Sequence, residues 1–267
     1  MEPLIQRIAS ALETLPFLHA VVLGGSRATG TVSATSDVDI GIYYDRTTLD
    51  LSALNRVAQS LDDAHRESLV CAEGGWGPWV NCGGWLTVEG VAVDLILRDL
   101  DRVRRVLDDT DQGIVNVNYQ TGHPHGFLNV TYRGELAVCK TLWSRPDFDA
   151  LKARAQLYPD AMRAPLLGSM LFEARFSVAL SKKSLPSGDR SYIVGHLYRG
   201  VSAMNQALFA LNRAWCLNEK KAVLRVESLP VHPEQYRARV ERVFDVPSAE
   251  AVDLLDALVT EVETLCS

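Results

Sequence analysis

The stretch VVLGGSRATGTVSATSDVDIGIYY, residues 21–44, decides how the chain is read. A short apolar run ends in Gly24-Gly25-Ser26, and a second apolar run carries Asp37 and Asp39 where a buried strand would take valines. Residues two apart on a strand point the same way, so Asp37 and Asp39 are expected side by side on one face, with Val38 and Ile40 on the other. Carboxylates that close repel, and one should hold a proton unless a cation neutralises them. Magnesium meets that need, because it takes oxygen ligands, keeps waters and bridges to substrate phosphates. Glycines at a strand end let a ligand approach the backbone, and a helix begun at Ser26-Arg27 turns its free N–H groups toward an anion. Together these features predict a metal–triphosphate site.

Such a site needs a further carboxylate from a neighbouring strand, and VEGVAVDLILRD, residues 88–99, supplies Asp94 amid Val91, Val93, Leu95 and Leu97. The same segment reads as half of a hairpin, GWLTV-EG-VAVDLILR, with Glu89-Gly90 as its turn.

Residues 23–39, LGGSRATGTVSATSDVD, followed by Asp94, resemble the signature of the polymerase-beta-like nucleotidyltransferase superfamily: Gly-Ser, a spacer, Asp-x-Asp, then a third Asp on a later strand. The resemblance is specific over residues 20–100. Beyond them it is architectural, a mixed α/β half before a helical half, similar to the small-molecule branch of aminoglycoside and lincosamide nucleotidyltransferases. It implies a small mixed sheet flanked by helices. It also implies that Gly25 and Ser26 hold the β and γ phosphates of ATP or another nucleoside triphosphate. Asp37 and Asp39 would bind magnesium, with two ions expected, and Asp94 would complete the metal site or act as the base on the acceptor hydroxyl. The chemistry implied is in-line attack of that hydroxyl on the α-phosphorus, with pyrophosphate leaving.

The expected architecture is α+β: an N-terminal mixed-sheet nucleotidyltransferase domain, residues 1–130, then an all-helical domain, residues 131–267, that closes the cleft and adds to acceptor and nucleotide binding. Helical spacing covers PLIQRIASALETL, LDLSALNRVAQSLDDAH and LDRVRRVLDD, and from TYRGELAVCKTLW onward the chain reads as nearly all helix. The punctuation QTGHPHGF and WSRPDF places the change of character near residues 125–145.

The chain has 267 residues, 47% of them hydrophobic and 22% charged, which suits a soluble globular protein. Its net charge of −6 weighs against a nucleic-acid partner and toward a small or cationic hydroxyl-bearing acceptor, with AMP the expected group transferred. The five cysteines are scattered without zinc spacing and read as reduced thiols. No basic leader or membrane-length apolar run stands out, so a cytoplasmic monomer or homodimer is expected, without a membrane partner.

Other residues carry weaker readings. Arg27 reaches a phosphate or simply starts a helix, and Ser36 reads as a cap on the following strand. Asp99 and Asp101 suit the N-terminus of the next helix. Trp76, Trp79 and Trp85 either cover the end of the sheet or offer aromatic faces to a ligand, and Glu73 beside them reads as surface charge. His123 and His125 lack a third metal ligand. In the helical half, Lys182, Lys183 and Arg190 are candidates to contact the triphosphate, and Glu135 and Glu173 could face an amine. Two further function classes compete: a toxin–antitoxin nucleotidyltransferase acting on tRNA or a protein, which should carry a basic surface, and a non-catalytic nucleotide-binding module, which should lack pyrophosphate release.

Overall fold

A computed structural model describes residues 1–30 and 37–267; the expected Ser36 cap lies outside the described residues. In chain order the elements are α1 (Glu2–Leu12), β1 (Leu18–Leu23), α2 (Gly25–Thr29), β2 (Val38–Tyr44), α3 (Leu51–Leu61), β3 (Gly83–Val88), β4 (Val91–Asp99), α4 (Leu100–Asp111), β5 (Val117–Asn118), β6 (Phe127–Leu128), α5 (Val130–Val138), β7 (Lys140–Ser144), α6 (Pro146–Gln156), α7 (Asp160–Ser184), α8 (Arg190–Leu211), α9 (Ala222–Val226), α10 (Tyr236–Asp245) and α11 (Ser248–Cys266). The fold is α+β. The chain forms two compact units, one of residues 1–108, 118–122 and 132–157, the other of residues 109–117, 123–131 and 158–267.

The first unit is built on a five-stranded sheet in the order β3-β4-β2-β1-β7. β2 and β4 run parallel, whereas β1 with β2, β1 with β7 and β3 with β4 are antiparallel. The sheet is two-sided because its strands alternate. Val38, Ile40, Ile42, Val93, Leu95 and Leu97 are buried in one core with Leu4, Ile5, Ile8 and Leu12 of α1 and Leu54, Ala58 and Leu61 of α3. α1 and α3 therefore cover one face, and Asp39, Gly41, Tyr43, Asp94, Ile96 and Arg98 belong to the other.

Local chemistry sets the connections. Glu89 and Gly90 both take positive φ, 52° and 73°, between the paired residues Val88 and Val91, as a two-residue turn matched to strand twist requires. Asp50 caps α3 by accepting the Ala53 N–H at 2.8 Å, and Asp99 accepts the Asp101 N–H at 3.1 Å where β4 passes into α4. The expectation of continuous helix from TYRGELAVCKTLW fails at its second half. The helix stops at Val138, and KTLWS becomes β7, whose Thr141 and Trp143 pair with Val22 and Val21 of β1. Such a short segment shows too little periodicity to declare itself a strand; β1's open edge decides the matter.

The second unit is helical. α8 is its central element, buried continuously over residues 201–210 and packed in one core with Met162, Leu166, Met170 and Val178 of α7 and Val252, Leu255, Val259 and Val262 of α11. No helix among the described residues is long and apolar enough to cross a membrane, and all five cysteines are free.

Candidate active site

At the end of β1 the chain turns through Gly24 and Gly25 into α2, a single turn of helix. The Gly24 N–H donates to the Asp39 carbonyl at 2.8 Å, which holds this turn against the start of β2. Gly25 has φ +54°, and a Cβ there would lie 1.8 Å from Asp39 Oδ2, so the Asp39 carboxylate sits directly over the glycine. Gly25→Ala is expected to lower stability by about 1–2 kcal/mol from the left-handed backbone alone, and to push Asp39 off its position. Urea unfolding measures the first effect. An alanine variant as stable as the parent would contradict this geometry.

Asp94 stands in register with Asp39 on the parallel neighbour β4. Its carboxyl is pushed up to about 6, first by burial and then by the charges of Asp39 and Asp37. A raised carboxyl pKa means that the folded state holds the proton more tightly than the unfolded state. Stability is therefore present at acid pH and is lost as pH climbs from about 4 through about 6. The shift corresponds to about 3 kcal/mol in full, and solvent screening at this half-buried group reduces it to about 1–2 kcal/mol. Asp94→Asn in chelator should thus melt a few degrees above the parent at pH 7.5 and level with it at pH 3. An equal gain at both pH values would rule out charge repulsion as its source.

Asp37 lies immediately before β2 rather than within it, and is exposed. Its carbonyl accepts a hydrogen bond from Arg27 Nε at 3.1 Å, which ties α2 to the start of β2. The charges of Asp39 and Asp37 both reach Asp94, yet among the described residues no three acidic, imidazole or thiol groups form a ready-made metal cage. The donor set still fits magnesium, which relies on one or two carboxylates, waters and substrate phosphates rather than on an all-protein cage.

One residue of this face is missed when the tryptophans are read as a loop cluster. Trp85 pairs with Asp94 across β3 and β4, so Asp39, Asp94 and Trp85 form one row over three strands. The signal is in the sequence: counting back from the two-residue Glu89-Gly90 turn puts Trp85 opposite Asp94. Trp76 stacks on Trp85 with ring centroids 4.6 Å apart. Trp79 packs edge-on to Tyr132 at 5.7 Å and lies beneath the Arg102 guanidinium at 4.3 Å. Buried Gln120 fastens the loop, its Oε1 accepting from the Trp79 and Val80 N–H groups and its Nε2 donating to the Trp76 carbonyl at 2.6 Å.

Several weaker candidates have structural partners. Glu73 accepts from Tyr44 Oη at 2.7 Å and pairs with Arg46 at 2.9 Å. Glu135 accepts two hydrogen bonds of 2.8 Å from buried Arg98. In the second unit Glu173 pairs with Arg199, and His123 Nδ1 lies 3.1 Å from Glu219. His125 is buried there with no hydrogen-bond partner on either ring nitrogen. Lys182, Lys183 and Arg190 also belong to the second unit; Lys182 pairs with Asp256 at 2.5 Å, while Lys183 and Arg190 are exposed. Asp189 caps α8 through the Tyr192 N–H at 3.1 Å.

The first unit thus combines a mixed sheet, a glycine turn after β1 and in-register aspartates on β2 and β4. Residues 6–71 match the family described as polymerase beta, nucleotidyltransferase. No curated protein matches the chain. Among solved structures, a nucleotidyltransferase-like protein from Exiguobacterium sibiricum 255-15 is similar at 9% identity and a TM-score of 0.46, over 100% of this chain and 74% of that one.

Proposed function

We propose that the protein is a magnesium-dependent nucleotidyltransferase of the small-molecule branch, moving AMP from ATP onto a hydroxyl of a small, amine-bearing acceptor. The observation that carries this reading is the Asp39–Asp94 register facing a glycine turn whose Cβ position the Asp39 carboxylate already occupies. Close carboxylates, one with its pKa raised by burial and then by its neighbours' charge, mark a site that gains when a cation arrives. Asp37, Asp39 and Asp94 would hold magnesium, which when bound supplies neutralisation of the phosphate charge and polarisation of the α-phosphoryl group.

The chain's own residues do the remainder. Gly24, Gly25 and Ser26 let the β and γ phosphates lie against the backbone, with Arg27 adjacent. The acceptor hydroxyl oxygen forms a bond to the α-phosphorus as the bond from that phosphorus to the bridging oxygen breaks. Pyrophosphate leaves with the electron pair, and Asp94 takes the hydroxyl proton. The remaining contribution is positioning and electrostatics.

The test is pyrophosphate release from each nucleoside triphosphate with magnesium, against kanamycin, streptomycin, lincomycin and bulk tRNA. Release that requires one small acceptor supports the reading. Release with tRNA alone assigns the protein to the toxin class, and nucleotide binding without release makes it a sensor; either result removes the proposal.

A further inference from the structure

The side of the carboxylate row opposite the glycine turn ends in exposed indole. Trp85 is 61% exposed, which is unusual for a tryptophan on a sheet whose other face is fully packed. Its position is built rather than incidental. Trp76 backs it at 4.6 Å with ring planes 25° apart. Trp76 is itself seated on Gly83, where a Cβ would lie 2.3 Å from the Trp76 ring, and its carbonyl is held by Gln120. The pair is a preorganised aromatic surface, so a ligand laid on it has little ordering left to do.

Its place in the row gives it an occupant. In strand order the face runs from Trp85 on β3, through Asp94 on β4 and Asp39 on β2, to the glycine turn that follows β1. In-line displacement puts the attacking and leaving oxygens on opposite sides of the reacting phosphorus. With pyrophosphate at Gly24–Ser26, the attacking hydroxyl must arrive from the Trp85 side. We propose that Trp85, backed by Trp76, is the acceptor platform, and that it takes an amino sugar: a hydroxylated ring whose C–H-rich face and ammonium groups lie on the indole. This deepens the proposed function and rests on it. The indole face attracts cations, which favours a ring that carries ammonium groups.

The test uses whichever of kanamycin, streptomycin or lincomycin supports release by the parent protein. Trp85→Ala should raise the KM for that acceptor at least about tenfold, with kcat and the KM for ATP within about threefold. Trp85→Phe, which keeps an aromatic face, should restore most of the loss, and calorimetric binding of the same acceptor without nucleotide should weaken in parallel. Because the side chain is mostly exposed, Trp85→Ala should lose only its stacking on Trp76, and a thermal midpoint within a few degrees of the parent excludes a folding defect. An unchanged acceptor KM overturns the platform while leaving the transferase reading intact. A rise in the KM for ATP instead assigns the indole to the nucleoside and overturns it equally. A parent protein silent with all three acceptors removes both proposals.

Discussion

Asp39→Asn should reduce acceptor-dependent pyrophosphate release by about 10³-fold or more while leaving the protein folded. Asp39 is central to the candidate site: it faces Asp94 across the parallel pair β2–β4, its Oδ2 occupies the space above Gly25, and its carbonyl receives the Gly24 N–H. The substitution preserves shape and removes one negative charge, so the backbone contacts survive. What disappears is the charge expected to hold the cation against the triphosphate. Charge stabilisation of a transferring phosphoryl group is worth several kcal/mol, and about 4 kcal/mol corresponds to a thousandfold in rate. The loss should fall on kcat, because the interaction strengthens as charge develops at the leaving oxygen. Stability should move the other way: with Asp39 neutral, the repulsion on Asp94 weakens, and the metal-free variant should melt no lower than the parent. A variant within tenfold of parental turnover would remove Asp39 from the chemistry and with it the account of the site.

How much of this was legible in the sequence depended on whether local pattern or partner choice was decisive. The Gly24-Gly25-Ser26 turn, the Asp39 strand and the Glu89-Gly90 hairpin are local, each fixed by backbone permissions or two-residue alternation, and they stand where the pattern put them. Asp37 marks the limit of that reasoning: alternation predicted a strand residue, but the strand begins one residue later. β7 was not legible because its identity depends on pairing with β1, a partner more than a hundred residues earlier in the chain. The return of residues 132–157 to the first unit has the same cause, since β7 and the helix after it go where the sheet edge is. The roles of Glu73, Glu135 and Glu173 also depended on distant partners, Arg46, Arg98 and Arg199, that no helical or strand period can reveal.

Glu135 carries the largest expected effect on stability. Arg98 lies on β4 on the same face as Asp94, four residues further along, and its side chain is 4% exposed. Both guanidinium bonds to Glu135 measure 2.8 Å, and the guanidinium also lies over the Tyr132 ring at 4.9 Å. This cluster anchors α5 to the sheet within the first unit. Glu135→Ala leaves the buried guanidinium without its counter-charge, and breaking a buried pair from one side costs about 3–5 kcal/mol. Glu135 is 30% exposed, so water can partly replace it and the lower end applies, a fall in midpoint of roughly 6–12 °C. The double variant Arg98→Met, Glu135→Leu removes both charges and keeps similar volume, and should unfold within about 1 kcal/mol of the parent because neither desolvation penalty remains. Urea unfolding of the parent, Arg98→Met, Glu135→Leu and the double variant forms a closed cycle that separates the pair from its surroundings. A double variant as unstable as Glu135→Ala would mean that the pair is net favourable and not merely mutually neutralising. Arg98 would then be a positive anchor of the sheet face that carries Asp94, and its loss should also lower turnover.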